Sequence, residues 1–374
     1  MPAAVLPTSI SDPINARILA VSEDKLQGFQ PDPIGQIAKQ TELSADTIQN
    51  RIATMMSAGT IRRVRQTLMA TNLAPGALCA WRVPEDKLHE TFDWMFRKDP
   101  FSGHVVIRST DKQTPGSVYR LWTTLKVPQP FSMEAHCQLL MQKTGATAYK
   151  LMPAKYLFTL GVGHVRRRGL SPGSRAEVPA DIHDTHVVEL SERDWQVLVA
   201  LKRDFASDEI EHGGGSASGS FWSARAADAG VDLKTFLEVA RSLNERKVIG
   251  RFSTFLEHVK PLATGEQVTK YNALFHWAVR PGAEIAAGKE VGRHHIMTHA
   301  YWREGGPEFN HVNIMGVAHG TDKNVLLEHK SAIDDHLRQA GIDFSYTATF
   351  WGGRSEIKPS EISPIAYRQW IDQQ

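Results

Sequence analysis

A chain of 374 residues exceeds one ordinary domain and has room for about two to four. Its 43 Lys and Arg against 41 Asp and Glu leave a net charge of +2, too small to demand a nucleic-acid partner. Two cysteines, Cys79 and Cys137, without CxxC spacing argue against a disulfide framework or a cysteine zinc site and for a reducing compartment. The opening MPAAVLPTSISDP has no basic start or long apolar run, and no stretch reaches the length of a membrane span, so a cytoplasmic protein without membrane contact is expected.

In chain order, residues 1–11 read as a tail. Short helices follow at Ile14–Val21 and Ile34–Gln40, and Ser44 is placed to cap a third over Ala45–Ser57. Gly59 ends it, and Thr60-Ile61-Arg62-Arg63-Val64-Arg65 continues as an extended basic ribbon. Three helices and a ribbon predict a winged helix-turn-helix over 1–72. From Leu78 the pattern becomes strand, helix, strand, strand, helix, strand up to Leu160, the order of a ferredoxin-like domain, assigned to 73–165. A basic stretch with Pro and Gly, Arg166–Val178, opens a linker over 166–189. The plan then repeats. A second winged helix-turn-helix is assigned to 190–264, interrupted by Gly213–Gly219 (GGGSASG), and a second ferredoxin-like domain to 265–374. The expected architecture is α+β: two tandem repeats forming a pseudo-dimer, with association into a homodimer left open.

The densest chemistry lies in Arg293–Gly320, which holds five of the sixteen histidines. Alternation on either side of Glu304-Gly305-Gly306-Pro307 reads as a β-hairpin. Residues two apart share a strand face. Arg293, His295, Met297, His299, Tyr301 and Arg303 are therefore expected on one face, with His311, Asn313, Met315, Val317 and His319 beside them. The opposite face is small and apolar, suited to lie under helices. In the first repeat Gly103-His104-Val105-Val106-Ile107-Arg108 aligns with Thr298–Arg303 and keeps His104 and Arg108 without the tyrosine. Such convergence of titratable groups marks a candidate site for a ligand with several carboxylates. The competing expectation is a polar sheet face absorbed in packing. For the helix-turn-helix, Arg51, Arg62, Arg63 and Arg65, with Gln49 and Asn50, are the DNA-contact candidates, against a role as inherited scaffold. The chain has no Walker loop, HExxH, GxSxG or GxGxxG motif.

These residues resemble the siroheme decarboxylases, relatives of the Lrp/AsnC-type regulators. The family's strand reads roughly V-S-H-C-Y-x-R, then W-P-Y-N-L and a closing H-G. His299, Tyr301, Arg303, Asn313 and His319-Gly320 match it; Ala300 replaces the Cys and Asn310-His311-Val312 the Trp-Pro-Tyr. The resemblance implies removal of acetate carboxyl groups from siroheme, giving didecarboxysiroheme for haem d1 or alternative haem synthesis. It implies no separate cofactor, the iron entering with the tetrapyrrole. On this reading His299, then His295, supplies the proton with help from Tyr301. Arg293, Arg303, Arg108, His104, His311, Asn313 and His319 bind substrate, and His295 or His311 ligates the substrate iron. The alternative is a tetrapyrrole- or effector-responsive DNA-binding regulator, in which DNA is the further partner.

Overall fold

The computed structural model describes residues 6–161, 163–184, 187–213, 220–257, 261–262, 265 and 267–374. The first elements are α1 (Pro13–Ser22), α2 (Pro33–Thr41), α3 (Ala45–Ser57) and β1 (Ile61–Leu68). Next come β2 (Gly76–Arg82), α4 (Leu88–Arg97), β3 (Ser102–Thr110), β4 (Tyr119–Lys126), α5 (Met133–Thr144) and β5 (Ala148–Leu160). Then follow β6 (His183–Asp184), α6 (Glu192–Leu201), α7 (Ser207–Gly213), α8 (Ser223–Asp228), α9 (Leu233–Glu245) and β7 (Ile249–Leu256). The chain continues with β8 (Tyr271–Val279), α10 (Glu284–Gly292), β9 (Met297–Arg303), β10 (Ile314–Gly320), α11 (Lys323–Gln339), β11 (Phe344–Ile357) and α12 (Pro364–Ile371). The mixed α+β composition agrees with the sequence reading. The interrupting loop assigned to Gly213–Gly219 falls mainly on 214–219, outside the described residues.

The chain divides into two compact units. One combines Met1–Met69, Val162–Arg168 and Val188–Val268; the other combines Ala70–Gly161, Gly169–Val187 and Thr269–Gln374. In the first unit Asp12, Asp32 and Ser44 cap α1, α2 and α3 by accepting from the first free backbone N–H groups. The basic ribbon is not a free wing: β1 pairs with β7, Val64 opposite Thr254. Of the DNA-contact candidates, Gln49, Arg51 and Arg65 are engaged within the unit, whereas Asn50 is exposed. Arg51 bonds Asp12 at 3.0 Å, Gln49 donates to the Ile210 carbonyl at 3.2 Å and Arg65 meets Asp204 at 3.1 Å. The Arg166–Arg168 run also departs from a free linker, since Arg166 and Arg167 both clasp the buried Asp24. That hydrogen bonding and charge hold the Asp24 carboxyl down at about 2 despite its burial.

The second unit is built on strands. β5-β2-β4-β3 and β11-β8-β10-β9 are four-stranded antiparallel sets with the same internal order. They do not remain two facing sheets with a cleft between them. β3 pairs with β11 and β5 with β9, so the strands close into a ring of eight, with β6 added on β5. Closure removes the exposed edges that an open sheet presents. Alternation along each strand then makes two kinds of face. One face of the first set packs under α4 and α5 through Trp81, Phe92, Phe101, Leu121 and Leu140. The matching face of the second packs under α10 and α11 through Phe275, Trp277, Val291, Ile314 and Ile333. Gly288 permits this closeness, because a Cβ there would fall 2.0 Å from the Phe158 ring. The other faces meet inside the ring, where Ala80, Val106, Trp122, Met152, Leu274, Met315 and Phe350 form one apolar group. The residues after Arg168, expected as a linker, instead run along the end of α10: Ala176 N–H donates to the Arg293 carbonyl and His295 N–H to that of Ser174.

Candidate active site

The polar residues of the hairpin come inside the ring by strand alternation. Tyr301 lies opposite Met315 and His299 opposite Val317, and both partners belong to the inner face. Arg303 follows at the same parity. His299 and Tyr301 rings stack at 5.9 Å with 12° between their planes. The Arg303 guanidinium sits 4.4 Å from the Tyr301 ring centre and donates to the Met152 carbonyl. From the first half, His104 is bonded to Ser355 at 2.7 Å. Arg108 donates to Asn272 at 3.2 Å and to the Phe350 carbonyl at 3.3 Å, with its guanidinium 5.9 Å from the Trp122 ring. Lys126 lies two positions beyond Thr124 and four beyond Trp122 on β4 and pairs with Gly76.

The electrostatics of this interior are one-sided. Among the described residues, no ion pair engages Arg108, Arg303 or Lys126. Burial pushes Arg108 down to about 9. Burial pushes Lys126 down to about 8, with repulsion from Arg303 adding to it. Arg303 is lowered and Tyr301 raised, each first by burial, and the two partly offset one another. Buried cations cost folding energy unless an anion offsets them. Three without an acidic partner on inner strand faces leave positive charge that an anionic group could offset.

The remaining site candidates are dispersed. β9 begins at Met297, after a helix and a turn, not at Arg293. Arg293 follows the last turn of α10 and bonds Glu290 at 3.0 Å and the carbonyls of Ala176 and Glu177. His295 lies in the turn before β9. A register shift between Val317 and Ala318 puts Met297 in the helix-side core. The continuous face expected from Arg293 to Arg303 is therefore broken ahead of His299, because one extra residue inverts the alternation. His311 is exposed in the hairpin connection with φ 55°, not on a strand face beside His299. Asn313 bonds both the N–H and carbonyl of Val279 and reaches Glu284 at 3.3 Å. It ties a strand end to α10 rather than facing the ring. His319 stays inside, receiving the Asn272 amide at 3.0 Å.

Besides Lys126, two interior residues escaped the sequence reading. Asn272 joins Arg108 to His319. His276 is fully buried against Phe350, Trp122 and Phe309, its ring centre 4.8 Å from that of Phe350. Neither of its nitrogens has a hydrogen-bond partner. Burial, then the positive charges of Arg108 and Lys330, push it down to about 3, so it is neutral. The signal was present: Asn272, Leu274, His276 and Ala278 alternate through NALFHWAV, which places the histidine on the inner face. No group of three or more His, Cys, Asp and Glu suited to a metal occurs among the described residues.

Comparison with known proteins bears on this geometry. Residues 73–159 match the AsnC-like ligand binding domain. A siroheme decarboxylase beta subunit from Oleidesulfovibrio alaskensis is 28% identical over 104 residues, 28% of this chain. The match spans 61% of that relative's length. The crystal structure of the siroheme decarboxylase NirDL superposes with a TM-score of 0.64 at 17% identity, covering 95% of this chain and 96% of that one. The same enzyme in co-complex with an iron-uroporphyrin III analogue gives 0.63 at 17% identity, over 96% and 99%. At such identity the structural likeness is one of fold. The chain resembles the siroheme decarboxylase family, in sequence over part of its length and in fold over nearly all of it.

Proposed function

We propose that this chain is a siroheme decarboxylase-like enzyme that removes acetate carboxyl groups from siroheme, giving didecarboxysiroheme for haem d1 or alternative haem synthesis. The observation that carries the reading is the set of buried cations, Arg108, Arg303 and Lys126, without an acid partner among the described residues. A polycarboxylate supplies the missing charge, and guanidinium grips carboxylate in paired hydrogen bonds. The relative's name and the co-complex with an iron-uroporphyrin analogue favour an iron tetrapyrrole over other polyacids. Iron arrives within the substrate, and no separate cofactor is invoked. We read the helical unit as two winged helices kept as scaffold, and each four-stranded set with its two helices as a ferredoxin-like repeat. DNA binding is not favoured, because Gln49, Arg51 and Arg65 already have intramolecular partners.

In the proposed reaction an acetate carboxylate sits in the dry interior. The bond between its methylene carbon and its carboxyl carbon breaks, carbon dioxide leaves, and the electron pair remains on the methylene carbon and the attached pyrrole. The imidazolium of His299 donates a proton to that carbon, forming a methyl group, and is reprotonated from solvent. Tyr301, stacked on His299, orders the ring, and His104 and His319 line the rest of the site. The test is anaerobic incubation with siroheme, followed by mass spectrometry of the extracted pigment. Loss of carbon dioxide units is expected. An altered pigment spectrum with unchanged mass would make the protein a binder and end the enzymatic reading.

A further inference from the structure

The geometry points to Thr298 as the positioning residue that locks His299 in a single tautomer, with the proton on Nδ1, so that proton exchange runs through Nε2. This deepens the reading of His299 as proton donor and rests on it only for the catalytic consequence.

The available protons decide the tautomer. Thr298 Oγ1 lies 3.0 Å from the Val317 carbonyl oxygen, 3.1 Å from Nδ1 of His299 and 3.3 Å from Nδ1 of His319. A hydroxyl has one proton to give, and a carbonyl can only accept. The hydroxyl therefore donates to Val317, and both imidazoles donate to the hydroxyl oxygen from Nδ1. The same polarity is imposed from the other end. Arg108 has no acceptor atom, so its contact at 3.2 Å makes Asn272 Oδ1 the acceptor. That turns the amide NH2 toward Nε2 of His319 at 3.0 Å. The Nε2 of His319 accepts, which leaves its proton on Nδ1. One assignment satisfies all of these contacts together, from Arg108 through Asn272 and His319 to Thr298 and His299. Thr298 is fully buried, so its hydroxyl is shielded from bulk solvent.

The strand irregularity is what makes the contact available. In a regular strand adjacent side chains point to opposite faces. The shift between Val317 and Ala318 lets Thr298 meet its neighbour His299. The first half has no counterpart. Gly103 stands at the position aligned with Thr298, and His104 meets the Ser355 hydroxyl on the neighbouring strand instead.

The test uses full-length protein labelled with 15N-histidine and no substrate, reading which ring nitrogen carries the proton from two-bond proton–nitrogen correlations. His299 signals are assigned by their loss in His299→Gln. Wild type is expected to show His299 and His319 both as the Nδ1–H form. Thr298→Val should shift His299 toward the Nε2–H form and lower kcat for siroheme by roughly 10-fold or more with KM little changed; Thr298→Ser should restore both. An Nε2–H His299 in wild type, or an unchanged His299 in a folded Thr298→Val protein, overturns the lock. If Thr298→Val fails to fold, the wild-type spectrum decides. The lock in a protein without decarboxylase activity would sink the functional reading alone.

Discussion

His104 and His299 occupy matching places in the two halves of the ring. Each lies on the second strand of its set, with an inward arginine four residues on. Their surroundings have diverged. Between His299 and Arg303 stands Tyr301, stacked on the histidine and under the guanidinium. Between His104 and Arg108 stands Val106, part of the apolar lining. The second half also has Thr298 and His319 hydrogen-bonded beside its histidine. The lesson is that both halves kept the cation, but the imidazoles have different partners: a tyrosine and a threonine for His299, the Ser355 hydroxyl for His104. On the proposed reading, anion binding belongs to both halves and proton transfer to one.

The largest effect that tests this division comes from the histidines. His299→Gln should lower decarboxylation on the order of 100-fold or more, while His104→Gln leaves kcat within about 3-fold, both measured by anaerobic turnover of siroheme. Equal losses would mean that the halves share the chemistry. Next are the arginines. Arg108→Met and Arg303→Met each remove a buried charge that has no acid partner among the described residues. Thermal stability should stay level or rise, by up to about 2 kcal/mol, since apolar replacement of buried ionic groups is often neutral or stabilising. KM should rise roughly 10-fold in both. A fall in stability without a change in KM would make these arginines structural and break the claim of shared binding.

The smallest effect concerns His276, whose strand counterpart in the first half carries only Leu78 and Ala80 on the inner face. Its folded-state value is depressed from 6.5 to about 3. The unfolded chain therefore takes up a proton first as pH falls. Stability from this group is full above about 6.5 and drains away as pH drops toward 3. His294, depressed to about 3 mainly by burial and next by His336, adds to the same slope. His276→Leu should flatten the loss of Tm between pH 6.5 and 4 without abolishing it. An unaltered slope would show that the ring interior is wetter than its packing implies.

Much of this arrangement could be read from residue order. The helices start where Asp12, Asp32 and Ser44 stand, and each strand of the ring announces itself by alternation. What could not be read was pairing between distant segments. Nothing near β3 names β11 as its neighbour, and nothing near β5 names β9, so two tandem domains could be read from local order but not the ring they close. The site failed in the same way at finer scale. His299, Tyr301 and Arg303 could be placed on one face because alternate positions of one short strand carry them. Arg293 and His295 were misplaced because the end of α10 and the irregularity at Thr298 depend on tertiary contacts. Asn272 and His276 were passed over inside an apolar run, although their spacing assigned them to the inner face.

Helix α12 has a consequence for how this molecule is made. Tyr367 on that helix packs into the core of the first half, stacked on Phe131 at 4.3 Å and beside Phe101 at 4.8 Å. Its hydroxyl meets His136 at 3.1 Å. The early half therefore cannot be sealed until residues 364–371 have left the ribosome. During synthesis it waits with greasy surface uncovered, the state most exposed to clumping. Completion of that core waits on a helix synthesised after all eight strands of the ring.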